Sequence, residues 1–125
     1  MPAAVAVAAV ALALAAPAQA LITPAVTVAG PEADILDFGG VAMAPDGTGG
    51  LVFTKAVEGV PHVFASRFVG GAWSEPIRVD WDQPFEGGQA RIAAGPRGEL
   101  LVVWVTQVAT FKNRLRFGLV SAKLG

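Results

Sequence analysis

An all-β fold of antiparallel sheets is what this sequence predicts, on three observations. After residue 20 the apolar residues come in short runs rich in Val, Phe, Leu and Trp, each closed by Gly or Pro, as in strands joined by tight turns. No stretch carries apolar residues at the three-and-four spacing that gives a helix a buried stripe. Finally, one plan occurs twice, in "GGVAMAPDGTGGLVFTK" and "GGQARIAAGPRGELLVVWV": a Gly-Gly entry, a short run, a Pro/Gly corner and a strongly apolar run. The first copy begins at Gly39 and the second at Gly87.

The first element is not part of that fold. "MPAAVAVAAVALALAAPAQA" holds none of the 19 charged side chains of the 125-residue chain. An apolar run from Ala3 to Ala16, a helix-breaking Pro17 and small residues at Ala18 and Ala20 make a secretory signal peptide over 1–20, cut before Leu21. The competing reading is a retained anchor, since a span needs about 20 apolar residues and extension through Ile22 reaches that. Cleavage is preferred because alanine is a poor membrane residue and Pro17 interrupts the segment. Membrane contact is then expected only through an uncleaved N-terminus. The expected location is secreted or extracytoplasmic. Disulfides form there, yet the chain has no Cys, so packing alone must hold the domain, and thiol chemistry and cysteine-based zinc sites are excluded. Nine Lys and Arg against ten Asp and Glu is too neutral for a dedicated nucleic-acid binder.

Residues 21–39 read as an extended lead-in. Pro24, Gly30 and Pro31 deny it a long helix, and Thr23 to Ala29 has room for one strand. The first repeat, 40–86, places strands at Val41–Ala44 and Leu51–Lys55 around a Pro45-Asp46-Gly47 corner. "HVFASRF", a Gly70-Gly71 turn and "AWSEPIRVD" follow, and then the loop "WDQPFEGG". The second repeat, 87–125, runs through "QARIAAGPRGELLVVWV" and "NRLRFGLVSA" and is incomplete. A unit of about 40–50 residues with four short strands is one blade of a β-propeller, so two blade-like, four-stranded sheets are expected, an incomplete propeller.

The run A-P-D-G, apolar strand, "VFASRF", Gly-Gly, "WSEPIRV" resembles the repeats of secreted bacterial β-propellers of the sialidase-like type, with their Asp-box turns, over residues 40–125. In that family an Asp, a hydroxyl residue and a Gly brace a hairpin turn. Here Asp46 is present, Ala44 stands where the hydroxyl is expected, and Gly47 comes one position early. The resemblance implies an arginine that holds a substrate carboxylate, and Arg91-Ile92 matches part of its Arg-Ile-Pro context, with Ala93 in place of the Pro. It also implies a tyrosine nucleophile, and the chain has no Tyr.

Read as residues alone, Asp46 in a Pro-Asp-Gly-x-Gly-Gly turn is a structural cap, because one carboxylate is too few for a calcium loop. Gln89 and Arg91 alternate on one face of the second repeat's first strand. In a propeller that strand lines the central channel, where a guanidinium suits a carboxylate ligand. Trp81, between Asp80 and Asp82, is the tryptophan expected to be exposed and able to stack on a sugar. Trp73 and Trp104 are expected to pack. Asp80, Asp82 and Glu86 read as a solvated acidic loop, and His62, the one histidine, as a surface or strand-edge residue. "FKNRLRF" alternates Lys112, Arg114 and Arg116 against Phe111, Asn113, Leu115 and Phe117, as a protected edge strand does. No catalytic set, metal site or cofactor is assigned.

Two blades do not close a propeller, for which 4–8 are typical. Three explanations stand: a truncated gene product, assembly of the chain with copies of itself, or a small β-sheet protein with an over-read repeat; the first is preferred. The function expected is a secreted, non-catalytic propeller-like module that binds or scaffolds, with a carbohydrate as ligand. The alternative is the N-terminal fragment of a sialidase-like glycoside hydrolase.

Overall fold

The computed structural model describes residues 3–4, 23–112 and 114–125. The cleavage residues Ala18, Ala20 and Leu21, and nearly all of the signal segment, lie outside the described residues. Among the described residues eight strands follow in order: β1 Ile35–Met43, β2 Gly49–Val57, β3 Val60–Val69, β4 Ala72–Trp73, β5 Ile77–Arg78, β6 Gly87–Ala94, β7 Leu100–Phe111 and β8 Arg114–Leu124. The described residues contain no α-helix; a single 3-10 turn, Pro96–Gly98, joins β6 to β7. Among the described residues no helix is long and apolar enough to cross a membrane.

The strands form two antiparallel sheets. Sheet one runs β1-β2-β3, with β4 and β5 both paired to the outer edge of β3. Sheet two is β6-β7-β8. Neither is four-stranded as expected. The fourth strand of sheet one is broken in two around Pro76, which has no N–H to give the ladder, and sheet two has three strands. Thr23 to Ala29 adds no strand, and β1 opens at Ile35, inside the expected lead-in.

Turn chemistry sets the hairpins. Glu58 and Gly59 (φ 51° and 79°) and Gly70 and Gly71 (φ 62° and 77°) are both two-residue turns with two left-handed residues, whose twist matches that of the paired strands. Lys112 (φ 48°) lies in the turn between β7 and β8. The alternation of "FKNRLRF" therefore crosses a hairpin and does not lie along one strand; β8, from Arg114, is the edge strand of its sheet.

The sheets pack through Val52, Val63 and Ala65 of the first, with Val79 just past β5, against Ala90, Val102 and Trp104 of the second, with Ile92, Val120, Ala122 and Leu124 around them. The closest approach is at Gly39, where a Cβ would lie 2.6 Å from the Ala90 carbonyl oxygen and 2.9 Å from Val52 Cγ1. Glycine is required there for space. Gly50 does the same under Leu100. Trp104 is buried in this core, and Trp73 stacks at a tilt on Phe68, ring centroids 5.1 Å apart.

Candidate functional site: an interstrand cleft and two internal polar clusters

β6 is paired to β7 at Gly88–Val105 and again at Arg91–Val103. Two residues, Gln89 and Ala90, therefore stand against Trp104 alone, and the surplus is taken up by Gln89 in a left-handed conformation (φ 52°). Such a bulge bends the strand and re-aims a side chain. Ala90 turns into the core, and Gln89 is left exposed. It lines a cleft of about 290 Å³ together with Asp37 and Glu86, the backbone of Gly87 and Gly88, and the apolar Leu36, Val105 and Phe117. Arg91 is not among the walls, and its Nη1 donates to the Ala90 carbonyl at 2.9 Å. The two residues expected to act together are thus parted by the bulge. Trp81 is 77% exposed in a turn of the loop between the sheets and does not border this cleft.

The lone histidine and the first acidic residue of the loop are not solvated. His62 and Asp80 are both buried, Asp80 completely. His62 Nδ1 lies 2.9 Å from Asp80 Oδ2, and Arg78 Nε donates to Asp80 Oδ1 at 3.1 Å. Arg78 Nη2 lies 3.0 Å and 3.1 Å from the two ring nitrogens and also donates to the Gln83 carbonyl. With Nδ1 donating to Asp80, only Nε2 has a lone pair for the guanidinium, and this one tautomer satisfies both partners. The ring stands on β3 opposite Lys55 and is closed over by Arg78 and Asp80. Burial of Asp80 follows from its position where the chain crosses to β6. A Cβ on Gly87 would lie 2.9 Å from Asp80 Oδ2, so glycine is needed there to admit the carboxylate. A His–Asp pair is the base-and-orienter half of a nucleophilic site, but Nε2 here faces an arginine, and Ser66, four residues along β3 and so about 13 Å away, donates its hydroxyl to the Ser74 carbonyl. The cluster joins strands and presents no free base.

Asp46 makes the third arrangement. Its Oδ1 accepts from the Thr48 N–H at 3.0 Å and the Thr48 hydroxyl at 2.6 Å, and its Oδ2 accepts from the Arg97 N–H at 2.8 Å. Thr48 Oγ1 in turn accepts from the Gly98 N–H at 3.1 Å. The Pro-Asp-Gly corner of sheet one is thereby tied to the Pro-Arg-Gly corner of sheet two. The Arg97 backbone bond, followed by those from Thr48, holds the Asp46 carboxyl down from an ordinary 3.8 to about 2. The hydroxyl sought at position 44 is supplied by Thr48, and the structural role assigned to this turn extends to a bond between sheets.

Among the described residues no group of three His, Cys, Asp or Glu side chains is placed to hold a metal ion. No family model, no curated protein and no solved structure matches this chain.

Proposed function

We propose that the chain is a secreted, non-catalytic binding or scaffolding module of β-propeller-like build, and that its ligand is a carbohydrate taken up in the Gln89 cleft. The propeller reading is supported by two meandering antiparallel sheets stacked in sequence order, with their first strands, β1 and β6, in contact at Gly39 and Ala90. The observation that carries the ligand is the make-up of the cleft. An amide on a bulge, two carboxylates and the half-exposed ring of Phe117 meet in one open depression. Few polar groups that fix orientation, set among apolar walls, are what small-molecule sites consist of; an amide and carboxylates suit sugar hydroxyls, and an aromatic face suits the C–H side of the ring. The non-catalytic reading is supported by the internal pairing of His62, Asp80 and Arg78. The hydrolase alternative rests on Arg91 as a carboxylate-binding arginine, and its position away from the cleft gives that reading no support.

Calorimetric titration of the full chain with a panel of neutral and acidic oligosaccharides tests the ligand. Loss of one or two hydrogen bonds in Gln89→Ala is expected to weaken binding about tenfold. Undiminished binding by that variant, or no binding of any oligosaccharide, overturns the proposal. The intact mass of the exported protein tests secretion: an N-terminus at Leu21 is expected, and an N-terminus at Met1 refutes it.

A further inference from the structure

We infer that the two outer sheet faces are the two halves of one interface, and that the occupant of each is a second copy of this chain docked head to tail. The inference rests on the propeller-like reading above and deepens it by naming a partner. Within the chain, sheet one offers Val52, Val63 and Ala65 to sheet two. The hairpin corner Pro45-Asp46-Gly47 recurs as Pro96-Arg97-Gly98, and the strand pair beside it, Met43–Gly49, recurs at the same displacement as Ala94–Leu100. Carried along β7, this equivalence matches Val52, opposite Ala65, to Val103, opposite Ser121. It matches Thr54, opposite Val63, to Val105, opposite Leu119. Val103 and Leu119 are on the side of sheet two turned away from sheet one. The outer face of sheet two therefore repeats the face by which sheet one holds sheet two.

The converse also holds. Val41, opposite Leu51 on the outer side of sheet one, repeats as Ile92, opposite Val102, and Ile92 packs on the core. At these positions one copy is covered and the other bare: Val52 is 0% exposed and Val103 39%, Val63 0% and Leu119 84%, and Val41 is 56% exposed where Ile92 is packed; Phe53, the counterpart of Trp104, is buried in both copies, beside the lead-in. The bare faces match each other and not themselves, which makes the contact heterologous.

Charge selects the same arrangement. Residues 23–86 hold nine Asp and Glu against three Lys and Arg, whereas residues 87–125 hold one against six. Head-to-tail docking brings the acidic half of one copy to the basic half of the next, and pairing of like faces opposes like charges. Arg67, the counterpart of Lys123, already donates to the Gly98 and Gly125 carbonyls across the internal contact. The lead-in covers sheet one over Phe53 and Phe64, and the β1 side at Val41 is left for the incoming copy. Closure with two to four copies gives four to eight sheets, the range of closed propellers.

Size exclusion with light scattering on the full chain tests this. The native chain is expected to run as an assembly of two to four copies that loosens with salt. Leu119→Asp and Val41→Asp, each blocking one face, are expected to be monomers with native circular dichroism, and their equimolar mixture is expected to form a one-to-one dimer. A monomeric native chain overturns the inference, and so does a Val41→Asp protein that still dimerises by itself, which would mean that like faces pair. Neither residue borders the Gln89 cleft. Val105, opposite Leu119 on the docking face, also borders the cleft, so sugar binding is measured on the monomeric Val41→Asp variant as well: a native monomer that binds sugar refutes the docking alone, and an assembling native chain whose Val41→Asp monomer binds no oligosaccharide refutes the ligand alone.

Discussion

Asp80→Ala is the substitution expected to damage this fold most for the fewest atoms removed. The carboxylate is fully buried and accepts from His62 Nδ1 at 2.9 Å and Arg78 Nε at 3.1 Å. Its loss leaves a buried imidazole N–H and a guanidinium without their acceptor. Removing one partner of a buried ion pair costs about 3–5 kcal/mol. Arg78 keeps its bond to the Gln83 carbonyl and has a side chain 29% exposed, so the lower end applies, about 3 kcal/mol. For a domain of this size each kcal/mol lowers Tm by about 4–8 °C, which gives a fall of roughly 12–24 °C. Asp80→Asn keeps the shape and one acceptor oxygen, but its NH2 must then face either the ring N–H or the guanidinium, so an intermediate loss is expected. Scanning calorimetry and urea unfolding measure both. If Asp80→Ala stays within about 0.5 kcal/mol of the native protein, the range of an ordinary surface change, then the cluster does not hold the strands together.

Two further outcomes follow from other contacts. The Asp46 carboxyl is held at about 2 in the folded chain against an ordinary 3.8. A depressed folded value means that its contribution is fully present above the unfolded pKa and is lost as pH falls through the folded one. The urea midpoints of the native chain and Asp46→Asn should therefore converge between about pH 4 and pH 2, and a gap that is constant across that window contradicts the capping role. Gly39→Ala puts a methyl 2.6 Å from the Ala90 carbonyl, an overpacking expected to cost about 1–3 kcal/mol. Gly88→Ala, whose Cβ would meet nothing within 4 Å, is the matched control, and equal unfolding midpoints for the two would refute the close approach of β1 to β6.

Much of the fold is local chemistry and is visible in the residues themselves. Gly70-Gly71 and Glu58-Gly59 announce two-residue turns, the run around Trp104 announces a core strand, and Pro45-Asp46-Gly47 announces a capped corner. The hidden part is long-range. His62 and Asp80 are separated in the chain by β4, β5 and their turns, and nothing near either reveals that the crossing from β5 to β6 will lay a carboxylate on a β3 imidazole. The bulge at Gln89 is equally silent, because Gly87-Gly88 is compatible with a regular strand, and simple alternation then groups Gln89 with Arg91. Asp37, Glu86 and Phe117, three of the other walls of the cleft, come from three separate strands and loops, and they gather only once β1 is packed on β6.

The displacement between the repeats decides more than it first suggests. Aligned on the Gly-Gly entries, Gly39 falls on Gly87 and the shift is even. Aligned on the hairpin corners, Pro45 falls on Pro96 and the shift is odd, because three more residues lie between Gly88 and Pro96 than between Gly40 and Pro45. Strand side chains alternate with a period of two, so an even shift keeps every residue on its face and an odd shift exchanges the faces. The even shift would equate Val52 with Leu100, both turned to the core, and describe two sheets meeting front to front in a sandwich that leaves nothing over. The observed pairing equates Val52 with Val103, one buried and the other facing out. The sheets are stacked front to back, and a front-to-back stack of two always ends in one bare front and one bare back. Apolar exposure at Val41, Val103 and Leu119 is the direct consequence of that odd shift.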